Sequence, residues 1–99
     1  MNRVNLDLNN PTFLRSLFAL QKADKLRVLD SLERISRLTW PELYQDRGLR
    51  WEAITSKKGR EGEQVHSFRV TLKIRAVAQR KGDFLVMNSV HADHDSAYQ

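Results

Sequence analysis

Apolar residues recur with two different periods along this chain. Phe13, Leu14, Leu17 and Phe18 are spaced as on a helix, and Asn10-Pro11 before them gives a capping residue and a first-turn proline. A second helical pattern runs from about Asp24 to Leu38, with Val28, Leu29, Leu32 and Ile35 on one side. The short junction at Lys22-Ala23-Asp24 predicts either an antiparallel helical pair or one bent helix. Elsewhere the period is two. Val4, Leu6 and Leu8 read as a short strand, and later strands are predicted over Leu49–Thr55, Val65–Val70, Ile74–Gln79 and Phe84–Val90. Thr39-Trp40-Pro41 is read as the stop of the second helix, because proline disfavours helix in the residue before it. Residues 41–48 then read as a connection closed by Gly48. The charged, glycine-containing segment Lys57–Gln64 reads as a loop, and Arg80-Lys81-Gly82-Asp83 as a hairpin turn.

Helices followed by successive short strands predict an α+β domain. An N-terminal helical hairpin would pack on one face of a four-stranded, mainly antiparallel twisted sheet, leaving the other face or its concave rim for a partner. All 99 residues fit one domain. Hydrophobic residues make up 40% of the chain and charged residues 29%, which predicts a folded globule rather than a disordered segment. Nothing in the chain reaches the roughly 18 apolar residues of a membrane span, so no membrane partner is expected. MNRVNLDLNN lacks the apolar core of a signal peptide. With no cysteine, disulfides and thiolate metal sites are excluded, and a cytoplasmic location is expected. The net charge of +5 favours a polyanionic partner, either nucleic acid or an acidic protein. An ordinary lysine-rich surface explains the same number.

Chemistry concentrates in the stretch from Val65 to Tyr98. There apolar positions alternate with Arg69 and Arg75, and the stretch closes on Asp93-His94-Asp95 and Tyr98. Arginine holds phosphate through a planar fork that never deprotonates. Histidine moves protons near neutrality. A strand that buries one face can present such groups on the other. His91 and His94 with Asp93 follow no zinc-binding spacing, so no metal and no cofactor is expected.

The order Gly48-Leu49-Arg50-Trp51-Glu52, His66-Ser67-Phe68-Arg69-Val70-Thr71, Ile74-Arg75-Ala76-Val77 and Asp93-His94-Asp95-Ser96-Ala97-Tyr98 resembles the RelE/ParE superfamily of bacterial toxins. The likeness spans most of the chain and is most specific over residues 48–98. It implies the toxin of a type II toxin–antitoxin system, neutralised by a cognate protein antitoxin, and either monomeric or part of a hetero-oligomer. In the RelE branch it implies a metal-free endonuclease that cleaves mRNA on the ribosome. The ParE branch instead poisons DNA gyrase by binding. A third reading is a chain that acts only as the regulatory partner of its antitoxin.

The resemblance places Arg69 and Arg75 at the family's strand arginines and Tyr98 at its C-terminal aromatic. It puts His94 near a basic or histidine position, and Glu52 at an acidic position that is catalytic in some members and structural in others. The nuclease reading assigns the scissile phosphate to Arg75 with Arg69 as helper. Glu52 or His94 is the base, the other an acid or orienter, and Tyr98 positions the substrate. Arg27, Arg34, Arg37 and Lys73 are the expected contacts to ribosomal RNA. Each has an ordinary alternative. Strand arginines are often members of ion pairs, Glu52 can simply pair with Arg50 or Arg75, and the helical arginines can be a solvated face.

Overall fold

The computed structural model describes residues 2–58 and 63–92. Three helices and five strands follow in the order β1 (Asn5–Asp7), α1 (Pro11–Phe18), α2 (Lys22–Ile35), α3 (Trp40–Gln45), β2 (Glu52–Lys58), β3 (Gln64–Arg69), β4 (Arg75–Lys81) and β5 (Phe84–His91). The strands form one mixed sheet in the order β1-β5-β4-β3-β2. The expected α+β class holds, but the sheet has five strands rather than four. The extra strand is the alternating segment around Leu6. It pairs parallel with β5, Leu6 opposite Leu85, a pairing between distant parts of the chain that alternation alone cannot reveal.

Local chemistry sets the helix starts. Asn10 accepts a hydrogen bond from the Thr12 N–H at 2.8 Å, with Pro11 in the first helical position. Trp40-Pro41, expected to stop α2 and open a connection, instead begins α3. The Thr39 hydroxyl accepts from the Glu42 N–H, and the Glu42 carboxylate accepts from the Thr39 N–H at 2.9 Å. This reciprocal cap satisfies two free donors, and proline is harmless in a first turn that has no carbonyl to bond. The Thr39 backbone N–H, helped by the Thr39 hydroxyl, holds the Glu42 carboxyl below its ordinary pKa.

The main core lies between the helices and one sheet face. Phe13, Leu17, Val28, Leu32 and Ile35 meet Phe68, Ala76, Ala78, Leu85, Met87 and Val90 there. Ser16 ties α1 to β5. Its hydroxyl accepts from the Val90 N–H at 3.0 Å and donates to the Phe13 carbonyl at 2.8 Å. β1 covers β5 only as far as Val86, so this hydroxyl serves a ladder donor beyond the end of β1. The opposite sheet face, expected to be open to a partner, is partly filled. It has its own small cluster of Ile54, Val65 and Val77, and Ser67, Arg75 and Gln79 are buried polar residues beside it. β4 is the central strand and is buried on both faces from Arg75 to Gln79.

Two backbone features place side chains. The β4–β5 hairpin turns on Gly82 and Asp83, with Gly82 at φ 61°, as a two-residue turn with glycine first requires. Further along the hairpin, Ala78 faces Met87 but Val77 faces Ser89. Asn88 is therefore an extra residue, a bulge that reverses which face the rest of β5 addresses.

Candidate functional site

Residues directly opposite each other in a ladder share a face. On the face away from the helices the register sets Glu52 opposite Ser67, Ser67 opposite Val77, and Val77 opposite Ser89. One step along, Arg69 faces Arg75 and Arg75 faces His91. A polar row therefore crosses four strands. At its centre the Arg75 guanidinium donates to the Glu52 carboxylate at 2.9 Å and to the Ser67 hydroxyl at 2.8 Å. The Arg75 side chain is 3% exposed and that of Glu52 46%. Water thus reaches the carboxylate while the cation that orients it stays dry. On β5, the Ser89 hydroxyl and His91 Nε2 are 2.8 Å apart.

His91 joins this row only because of the Asn88 bulge. Had strict alternation continued from Leu85 and Met87, Ser89 and His91 would face the helices. Sequence reasoning did not assign His91 to catalysis. A signal was present, since Val90 is apolar but out of phase with Leu85 and Met87.

Arg69 is partly buried, directly opposite Arg75. Like charges in that position repel, and Arg69 has no ion pair among the described residues. Glu52, Arg69 and Arg75 are thus brought together as the sequence reading required. His94 and Tyr98 lie outside the described residues. Lys73 is exposed in the turn between β3 and β4. Of the helical candidates, Arg34 forms an ion pair with Asp46 and Arg37 with Glu33 at 2.9 Å, whereas Arg27 is exposed. Partial burial pushes the Asp46 carboxyl up, but the Leu49 N–H, Arg34 and the Gly48 N–H together outweigh it and hold the pKa below its usual value.

A second polar feature lies on the helix side of the sheet. Trp40, Tyr44 and Trp51 form an aromatic cluster, and His66 stacks on Trp51 at 4.6 Å with 13° between the rings. Burial lowers the His66 pKa, and its Nδ1 has no hydrogen-bond partner among the described residues. The Arg80 guanidinium sits over the Trp40 ring at 4.4 Å and donates to the Tyr44 hydroxyl at 2.8 Å. Trp40, Tyr44 and Arg80 line a groove of about 230 Å³ with Asn2, Pro41 and Asp83. The two tryptophans thus serve packing, as their size and apolarity favour.

Among the described residues no group of three His, Asp or Glu side chains is placed to hold a metal, and no helix is long and apolar enough to cross a membrane. No family model matches the chain, and no curated protein matches it. Among solved structures, a copper-bound mutant toxin from Helicobacter pylori shares the fold. The TM-score is 0.50 at 17% identity, and the match covers 97% of this chain and 98% of that one. At that identity the likeness is one of architecture over the whole chain.

Proposed function

We propose that this protein is the toxin of a type II toxin–antitoxin pair and cleaves mRNA on the ribosome, with an acidic protein antitoxin as its neutralising partner. The observation that carries this reading is the half-exposed Glu52 carboxylate held by the buried Arg75, in a row with Arg69 and His91. The toxin fold shared along the whole chain supports it.

Arg75 is enclosed, so its role in this reading shifts from gripping the phosphate to orienting Glu52. Glu52 takes the proton of a ribose 2′-OH. The 2′-oxygen bonds to phosphorus while the bond from phosphorus to the 5′-oxygen breaks, leaving a 2′,3′-cyclic phosphate and a 5′-OH. Arg69 neutralises the charge that builds on the phosphoryl oxygens. His91, a second proton-transfer group in the row, delivers a proton to the departing 5′-oxygen. His94 and Tyr98 remain candidates for the acid and for substrate positioning.

The test uses ribosomes programmed with a defined mRNA, with cut sites read by primer extension. Cleavage in the A-site codon is expected, and one 2′-deoxynucleotide at the cut site should abolish it. Intact mRNA, together with breaks in gyrase-bound DNA, would replace this reading with a gyrase poison that acts by binding alone.

A further inference from the structure

The cations of this chain differ in how far they are already neutralised. Arg34 and Arg37 on α2 are paired with Asp46 and Glu33. Arg75 is paired with Glu52, and Arg80 is tied to Tyr44 and the Gly82 carbonyl. Arg47, Arg50, Arg69 and Lys73 have no acidic partner among the described residues, and on α2 the same holds for Arg27. Arg50, Arg69 and Lys73 lie at one end of the sheet, and Arg47 lies in the turn that leads to it, closed by the Arg50 N–H on the Asp46 carbonyl. The Arg69 N–H donates to the Leu49 carbonyl at 2.6 Å, which sets Arg50 beside the end of β3. Thr71 and Val70 N–H groups both bond the Ile74 carbonyl, which folds Lys73 into a tight turn at the same end. The acids nearest in sequence are committed elsewhere: Asp46 to Arg34 and the Leu49 N–H, Glu52 to Arg75.

Arg50 adds a second observation. Among the described residues it is the non-glycine residue with positive φ, 49°, where glycine would be free of strain. It is exposed, so no packing explains its side chain there. Strain of this kind collects where a side chain is needed for binding.

We propose that Arg47, Arg50 and Lys73 extend the cationic row begun by Arg69 and grip the phosphates of the RNA strand flanking the Glu52 site. This rests on the nuclease reading and names the part of the protein that holds the substrate backbone. It also places the grip on the RNA backbone at the sheet end rather than on the paired Arg34 and Arg37 of α2.

The experiment measures binding of the full chain to a fluorescent 2′-O-methyl RNA oligonucleotide, which cannot be cleaved, across a salt series. Removing one phosphate-binding cation should flatten the slope of log affinity against log salt by about 0.7. Arg50→Gly relieves the backbone while removing the charge, so a folding defect cannot explain its effect. Lys73→Gln and Arg47→Gln complete the set. Flattening in these three, with wild-type slopes for Arg34→Gln and Arg37→Gln, is the expected result. Wild-type slopes in the three, or flattening only in the α2 variants, overturns the proposal. So does binding confined to poly-glutamate or anionic vesicles. Failure of the nuclease reading shows differently: wild-type mRNA stays intact on ribosomes while the salt slopes still separate the variants.

Discussion

The two faces of the sheet are built from the same strands and do opposite work. Toward the helices, Phe68, Ala76, Ala78, Leu85 and Met87 lie in a continuous apolar core. On the other face, Glu52, Ser67, Arg69, Arg75 and His91 lie beside the small apolar cluster of Ile54, Val65 and Val77. The helix side is dry and needs only shape. The other side buries a guanidinium and keeps it in an ion pair with a carboxylate that water still reaches. Burying a charge costs free energy unless it is paired and hydrogen-bonded. A well-packed hydrophobic pair of similar size would often be at least as stable. Stability alone therefore gives little reason for the Glu52–Arg75 pair, and the proposed function supplies one.

Substitutions on the two faces should separate these roles. The largest effect belongs to the dry side. Phe68→Ala should lose about 3–5 kcal/mol of stability, seen as a lower urea midpoint, and any activity should fall only with the folded fraction. Next comes Glu52→Gln, which turns a charge-assisted bond into a neutral one. It should cost no more than about 1.5–3 kcal/mol, discounted because Glu52 is half in water, while mRNA cleavage falls by about 10²-fold or more. Equal losses of stability and activity in both variants would erase the distinction between the faces.

Smaller effects sharpen it. Thr39→Ala opens the α3 cap and should cost about 1 kcal/mol, measured by the same urea titration, with cleavage unchanged per folded molecule. The smallest effect is pH-dependent. The His66 pKa is lowered in the folded protein by burial, so the unfolded chain takes up its proton first as pH falls. The His66 contribution is thus fully present above the unfolded value of about 6.5 and is lost as pH drops through the folded value. His66→Phe should flatten the stability profile in that window. An unchanged profile would mean that some other group titrates there.

The sequence showed α1, α2 and the five strand segments because their periods differ, as at Val28, Leu32 and Ile35 against Val65 and Ser67, but it placed only four of those strands in the sheet and read α3 as a connection. It showed Arg69 and Arg75 because alternation sets them on one face. Three features were hidden for physical reasons. Parallel pairing of Leu6 with Leu85 leaves no local mark. Pro41 looks the same whether it stops one helix or starts the next, and only the Thr39–Glu42 cap decides. One inserted residue, Asn88, changes the face of His91, and its only trace is the phase of Val90. The partnering of Arg34 with Asp46 was equally hidden, since it joins α2 to a loop beyond α3.

Cleavage of mRNA on programmed ribosomes by Glu52→Gln, compared with wild type at equal folded concentration, tests the central claim most directly. The account predicts a folded protein whose cutting is lost or falls at least about 10²-fold. Cutting at the wild-type rate by that variant would contradict it and return the Glu52–Arg75 pair to the role of an internal tie.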